Sequence, residues 1–174
     1  MRGNPAELPL TAPRHCGEFV RRIWPHRSSR AAATAGVTQG ILDDYHEACA
    51  VLDISPKASA ALTRRILQHI LREKGCVKHG DLASEIQQVL DTGKLPAHLA
   101  DSIDAVRNIG NFAAHPIKSN SSGEVVAVEA GEAEWNLDVV EALFDFYFVQ
   151  PQLLADKRAA LNKKLSDAGK KPMK

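Results

Sequence analysis

The chain has 174 residues, and its 22 basic and 21 acidic residues leave a formal net charge of +1 at pH 7, so its length suits one domain with a real core and its overall charge argues neither for nor against nucleic acid. Three cysteines without regular spacing, Cys16, Cys49 and Cys76, exclude a disulfide framework, and with an N-terminus that lacks a secretory apolar run they predict a reducing cytoplasm. No apolar stretch has the length that spans a bilayer, so a membrane is not an expected partner.

The charge is unevenly spread. Residues 1–35 carry six arginines against Glu7 and Glu18, residues 156–174 carry seven lysines or arginines against Asp156 and Asp167, and the middle is acidic. Basic ends can neutralise phosphates or lie on the acidic part of their own chain. Pro5, Pro9, Pro13 and Pro25, with only a short apolar patch at Phe19-Val20 and Ile23-Trp24, predict an irregular basic arm over 1–37.

From Thr38 the pattern turns helical, with Ile41, Tyr45, Ala48 and Leu52 sharing a face. Ser55-Pro56 supplies an N-cap and a first-turn proline for a helix over 57–74, with Ala58, Leu62, Ile66 and Ile70 as its core stripe and Gly75 closing it. Asp81 caps a shorter helix through Leu90, with Leu82, Ile86 and Val89 or Leu90 inward, ended by Thr92-Gly93. Another helix follows Pro96. Lys118 to Gly123 reads as a turn and Glu124 to Glu129 as a short β-strand or hairpin. A long helix runs from about Glu132 to Val149, its aromatic second half apolar nearly all round and therefore buried on more than one side. Pro151 starts a last helix with Leu154, Leu161 and Leu165 on one face. The domain division is an arm over 1–37, a helical domain over 38–150, and a C-terminal helix with basic tail over 151–174. Helical surface beyond the core of so small a domain predicts a homodimer.

The most informative stretch is Arg107-Asn108-Ile109-Gly110-Asn111-Phe112-Ala113-Ala114-His115-Pro116. Leu99, Ile103 and Val106 define a buried helix face, and beside it Arg107, Asn111 and His115 recur at i, i+4 and i+8, a stripe costly to bury unless each group finds a partner or ligand. His115-Pro116 ends the helix, because a residue before proline is pushed out of the α region.

The segments Asp44-Tyr45-His46-Glu47-Ala48-Cys49, Ser55 to Arg65, Gly110 to Pro116 and Glu132-Ala133-Glu134-Trp135 together resemble the bacterial family known as domain of unknown function 4145, over roughly residues 40–150. That family is grouped with the HEPN superfamily. The resemblance implies an all-α, HEPN-like bundle of five or six helices with one short β-hairpin insertion, dimeric and without a cofactor. Many HEPN proteins are metal-independent ribonucleases of toxin, CRISPR and anti-phage systems; others bind nucleotides or serve as assembly modules. The nucleases carry an Arg, a polar residue and then a His after four to six intervening residues. Here Arg107, Asn108 and His115 follow that order with seven intervening.

Eight residues separate Arg107 from His115 by ~12 Å along a helix axis, and helical side chains lean toward the N-terminus, so one protomer does not bring both to one phosphate. Two antiparallel motif helices across a two-fold axis would. His115 would then move the proton of a ribose 2′-hydroxyl, Arg107 would hold the charge growing on phosphate, and Asn108 and Asn111 would orient the groups. The structural alternative pairs Arg107 with Asp104 one turn earlier, has Asn111 bond a loop carbonyl and has His115 cap the helix end. Arg64 and Arg65, with Gln68 and Arg72, form a basic edge that either binds phosphate or pairs with surface acids such as Glu73. A third alternative binds RNA or DNA through the basic ends without chemistry. Cys76 with His79 and His46 with Cys49 are isolated half-sites, so no metal is implied. Glycine-rich phosphate loops, paired-carboxylate metal motifs and serine nucleophile elbows are absent.

Overall fold

The computed structural model describes Arg30, residues 34–114 and residues 127–173, with the backbone alone for residues 108–114. The expected arm is therefore described only at Arg30 and residues 34–37. The expected turn over 118–123, and His115-Pro116, lie outside the described residues.

The regular secondary structure of the described residues is all helical, with no strand among them. Helix α1 spans Gln39–Val51, α2 Pro56–Lys74, α3 Leu82–Asp91, α4 Ala97–Ala114 and α5 Ala130–Phe144. From α5 the chain passes through a π-helical segment, Asp145–Val149, straight into α6, Gln150–Asp167. The local start signals act as the sequence demands. Ser55 Oγ accepts from the Ala58 N–H at 3.3 Å with Pro56 in the first turn, and Asp81 Oδ1 accepts from the Ser84 N–H at 2.8 Å. At α5 the Glu132 carboxylate accepts from the Glu129 N–H at 3.0 Å. Of the β element expected over 124–129, only Ala127–Glu129 is described, and it is not strand. There Val128 is buried against Ala60 and Ala133, and Glu129 is the N-cap of α5, so both residues are committed to the helical layer.

Helix α2 is the hub, packing against α1, α3, α4 and α5. Its buried surface is wider than the single expected stripe. Ile66 and Ile70 are buried together with Ser59, Ala60, Thr63, Leu67 and Leu71, while Ala58 and Leu62 stand at the margin, as befits a helix enclosed on several sides. Ile41, Tyr45 and Ala48 of α1, Leu82, Ile86 and Val89 of α3, Leu99, Ile103 and Val106 of α4, and Leu137, Val140, Leu143 and Phe144 of α5 complete one core. The Tyr45 and Phe144 rings meet edge to face at 5.4 Å, and Lys74 Nζ lies 4.6 Å from the Phe148 ring centroid, tying the end of α2 to the π segment.

Helix α6 behaves differently: none of its 18 residues is buried. Gly169, at φ +67°, closes it, with the Lys170 N–H bonded to the Leu165 carbonyl at 2.8 Å. No helix among the described residues is long and apolar enough to cross a membrane.

Candidate functional site

Leu99, Ile103 and Val106 fill the inner face of α4, which leaves Arg107 at the margin of that face, about one-third exposed. Its Nη2 lies 2.6 Å from Asp104 Oδ1, one turn earlier, and its Nη1 donates to Gln87 Oε1 of α3 at 3.3 Å. The guanidinium is thus both neutralised and oriented by its own chain. Asn108 and Asn111 lie on the last turns of α4, and their side chains, like all of His115, fall outside the described residues.

The basic residues of α2 diverge, because successive positions on a helix point about 100° apart. Arg65 faces α1, donating from Nε to Asp44 Oδ2 at 2.6 Å and pairing again with Oδ1. Arg72 and Gln68 face the start of α3, both donating to the Gly80 carbonyl at 3.2 Å. Glu73 pairs with Lys74 at 3.1 Å. Arg64 is half-buried and has no hydrogen bond or ion pair among the described residues.

Two carboxylates that sequence reasoning passed over organise the polar interior. Glu85 is fully buried, and its Oε1 accepts from Arg72 Nε and from the Gly80 N–H, each at 2.8 Å. Burial alone would raise its pKa, but Arg72, Gly80 and Gln68 together hold the carboxyl below its ordinary value. Its signal was legible: an acid set among Leu82, Ile86 and Val89 on the inward face of α3. Glu141 is the second. Its Oε1 accepts from Arg30 Nε and from the Tyr45 hydroxyl, each at 2.7 Å, while Arg30 also pairs with Asp138 and, at 3.4 Å, with Glu134. Burial, then the bond to Glu141, pushes the Tyr45 phenol far above its usual range. A basic residue from the N-terminal region therefore rests on an acidic face of α5.

His69, Arg72, Glu73 and His79 line a shallow depression beside Gly40 and Ile41. Among the described residues no three His, Cys, Asp or Glu side chains come together in a group fit to hold a metal.

A second, drier depression lies between α4 and α5, lined by His98, Leu99, Ser102, Trp135, Asp138, Val139 and Ala142. Trp135 there is 46% exposed.

These features define an all-helical bundle built around a central helix, with a partnered arginine at the edge of its fourth helix and an unburied sixth. The chain belongs to the family described as Domain of unknown function (DUF4145), whose model matches residues 46–167, more than half of the chain and through to the end of α6. No curated protein and no solved structure matches it.

Proposed function

We propose that this protein is a HEPN-like helical module that pairs with a second copy of itself and works on or beside nucleic acid, as a dimerisation and interaction element with no chemistry of its own. One observation carries the pairing: α6 is an 18-residue helix with no buried residue, and it exposes Leu153, Leu154 and Leu161. Most helical stability in a folded protein comes from packing of an apolar face, and among the described residues the main contact of α6 is with the π segment from which it continues. A second copy supplies that packing. Sedimentation across a concentration series tests it. A dimer is expected, and a monomer at every concentration overturns the reading.

A metal-independent ribonuclease, serving in defence or stress response, is the second reading, and the fixed orientation of Arg107 on α4 favours it. In that reaction the ribose 2′-oxygen attacks phosphorus and the 5′-oxygen leaves with a proton. The product is a 2′,3′-cyclic phosphate. His115 moves the proton, Arg107 steadies the phosphate, Asn108 and Asn111 orient them, and Arg64 and Arg65 are the added phosphate contacts. The pairing of Arg107 with Asp104 weighs against it, since a neutralised guanidinium is a weak phosphate ligand. Incubation of purified protein with single-stranded RNA in chelator separates the two. The module reading expects no cleavage; cleavage by the wild type that His115→Ala abolishes would establish the enzyme instead.

A further inference from the structure

We propose that α6 of one molecule seats in the groove between α4 and α5 of a second copy, whose own α6 seats reciprocally in the first. This rests on the reading of the protein as a dimeric module and names the surface that makes the dimer.

The helix and the groove are complementary in shape and in charge. On α6, Leu154, Leu161 and Leu165 fall on one face at i, i+7 and i+11, Lys157 and Lys164 run along one side of it, and Asp156 and Asp167 lie on the opposite side. Leu154 is 58% exposed and Leu161 43%. Leu99 and Val139, both nearly fully buried, floor the groove, and its accessible apolar surface is Ala142 with the half-exposed Trp135, the side-chain type most often dominant in interface energetics. Its rim on α5 is acidic: Asp138 lines it and Glu134 lies one turn earlier, each 59% exposed. Arg30 offsets one charge of the set Glu134, Asp138 and Glu141, which leaves that flank negative.

The helix and the groove do not meet within one molecule. Helix α5, whose flank forms the groove, runs through the π segment into α6 without a turn, so α6 is carried away along the same rod. An arm and a matching groove held apart on one rod are satisfied by exchange across a two-fold axis, each groove taking the other copy's arm. Direct pairing of two α6 stripes is the competing geometry, and it sets Lys157 and Lys164 near their own counterparts across the seam. At ~4 Å near a surface, like charges repel by about as much as the opposite charges of the groove rim attract, and the sign decides the choice.

Cross-linking and sedimentation test the geometry together. In a background with Cys16, Cys49 and Cys76 replaced, protein carrying Leu161→Cys is mixed with protein carrying Ala142→Cys and treated with a short bismaleimide. Linked dimers are expected from the mixture and only weakly from either protein alone. Lys157→Glu with Lys164→Glu is expected to weaken the dimer roughly tenfold or more, and Asp138→Lys on the same chain is expected to restore part of that loss. Efficient linking of Leu161→Cys to itself, or a dimer indifferent to all these charges, overturns the groove and leaves the dimeric module standing. A wild type that is monomeric at every concentration overturns both.

Discussion

Arg107 Nη2 stands 2.6 Å from Asp104 Oδ1, an i, i+3 pair on the surface of α4, and the same guanidinium reaches Gln87 of α3. A pair this exposed adds little stability, roughly 0.2–1 kcal/mol, but it cancels a charge that would otherwise face solvent. Asp104→Asn is therefore expected to leave the fold intact and to strengthen single-stranded RNA binding, with the slope of log affinity against log salt steeper by about one phosphate contact. Arg107→Ala in the same chain should remove the gain. Filter binding over a salt series reads both.

Glu85 and Arg72 make the opposite kind of pair, with the carboxylate fully buried. Arg72→Leu leaves a buried, uncompensated charge and should cost about 3 kcal/mol, less than the deepest pairs because the Arg72 side chain is 30% exposed. The pH dependence follows from the lowered pKa of Glu85. The folded protein binds its proton more weakly than the unfolded chain does. The stabilisation is therefore complete above the ordinary glutamate range and is lost as pH falls through the lower, folded value. Glu85→Gln should flatten that acid limb. Urea unfolding between neutral pH and the acid transition checks it.

Arg30 and Tyr45 share one acceptor, Glu141 Oε1. Arg30→Ala and Tyr45→Phe should each cost about 1 kcal/mol, and the double variant more than their sum, because loss of one donor frees the carboxylate to bond the other better and that compensation disappears when both are gone. Salt should shrink the Arg30 effect and leave the Tyr45 effect nearly unchanged, since the tyrosine is buried. A double-mutant cycle at two ionic strengths tests this.

Helix starts were legible because their causes are local. Ser55-Pro56, Asp81 and Pro96 act within a turn of themselves, and the period of Leu99, Ile103 and Val106 reads directly as a buried face. Partners were less legible. Arg107 with Asp104 is a one-turn relation and could be named in advance, whereas Arg65 with Asp44, and Arg30 with Glu141, join residues brought close only by the fold. Pro151 reads in sequence as the start of a separate helix. In the structure the helix runs through it, and the wider π turn over Asp145–Val149 lies just ahead of the residue that lacks an N–H and would crowd a preceding carbonyl.

The end of α2 depends on two adjacent residues with opposite backbone needs. Gly75 closes α2 as its C-cap, as the sequence reads, but it does so at φ −77° and not in the left-handed region; Cys76 takes the positive value, +55°. Gly75 is required for space instead: a Cβ there would lie 2.6 Å from the Leu71 carbonyl oxygen and 2.9 Å from Val89 Cγ2, where α3 closes on α2. Gly75→Ala should therefore destabilise by about 1–3 kcal/mol, as overpacking does. Cys76→Gly should act in the other direction. The left-handed conformation costs a side-chain-bearing residue roughly 1–2 kcal/mol, and the extra freedom glycine brings to the unfolded chain returns part of that, so a net gain of up to ~1 kcal/mol is expected. Cys76 is exposed, and its only hydrogen bond among the described residues is a long contact of 3.9 Å from Sγ to the Lys74 carbonyl, so little packing is lost with the side chain. Urea midpoints should move down for Gly75→Ala and up for Cys76→Gly. A fall in both would mean that Cys76 is held by packing and not strained by its backbone.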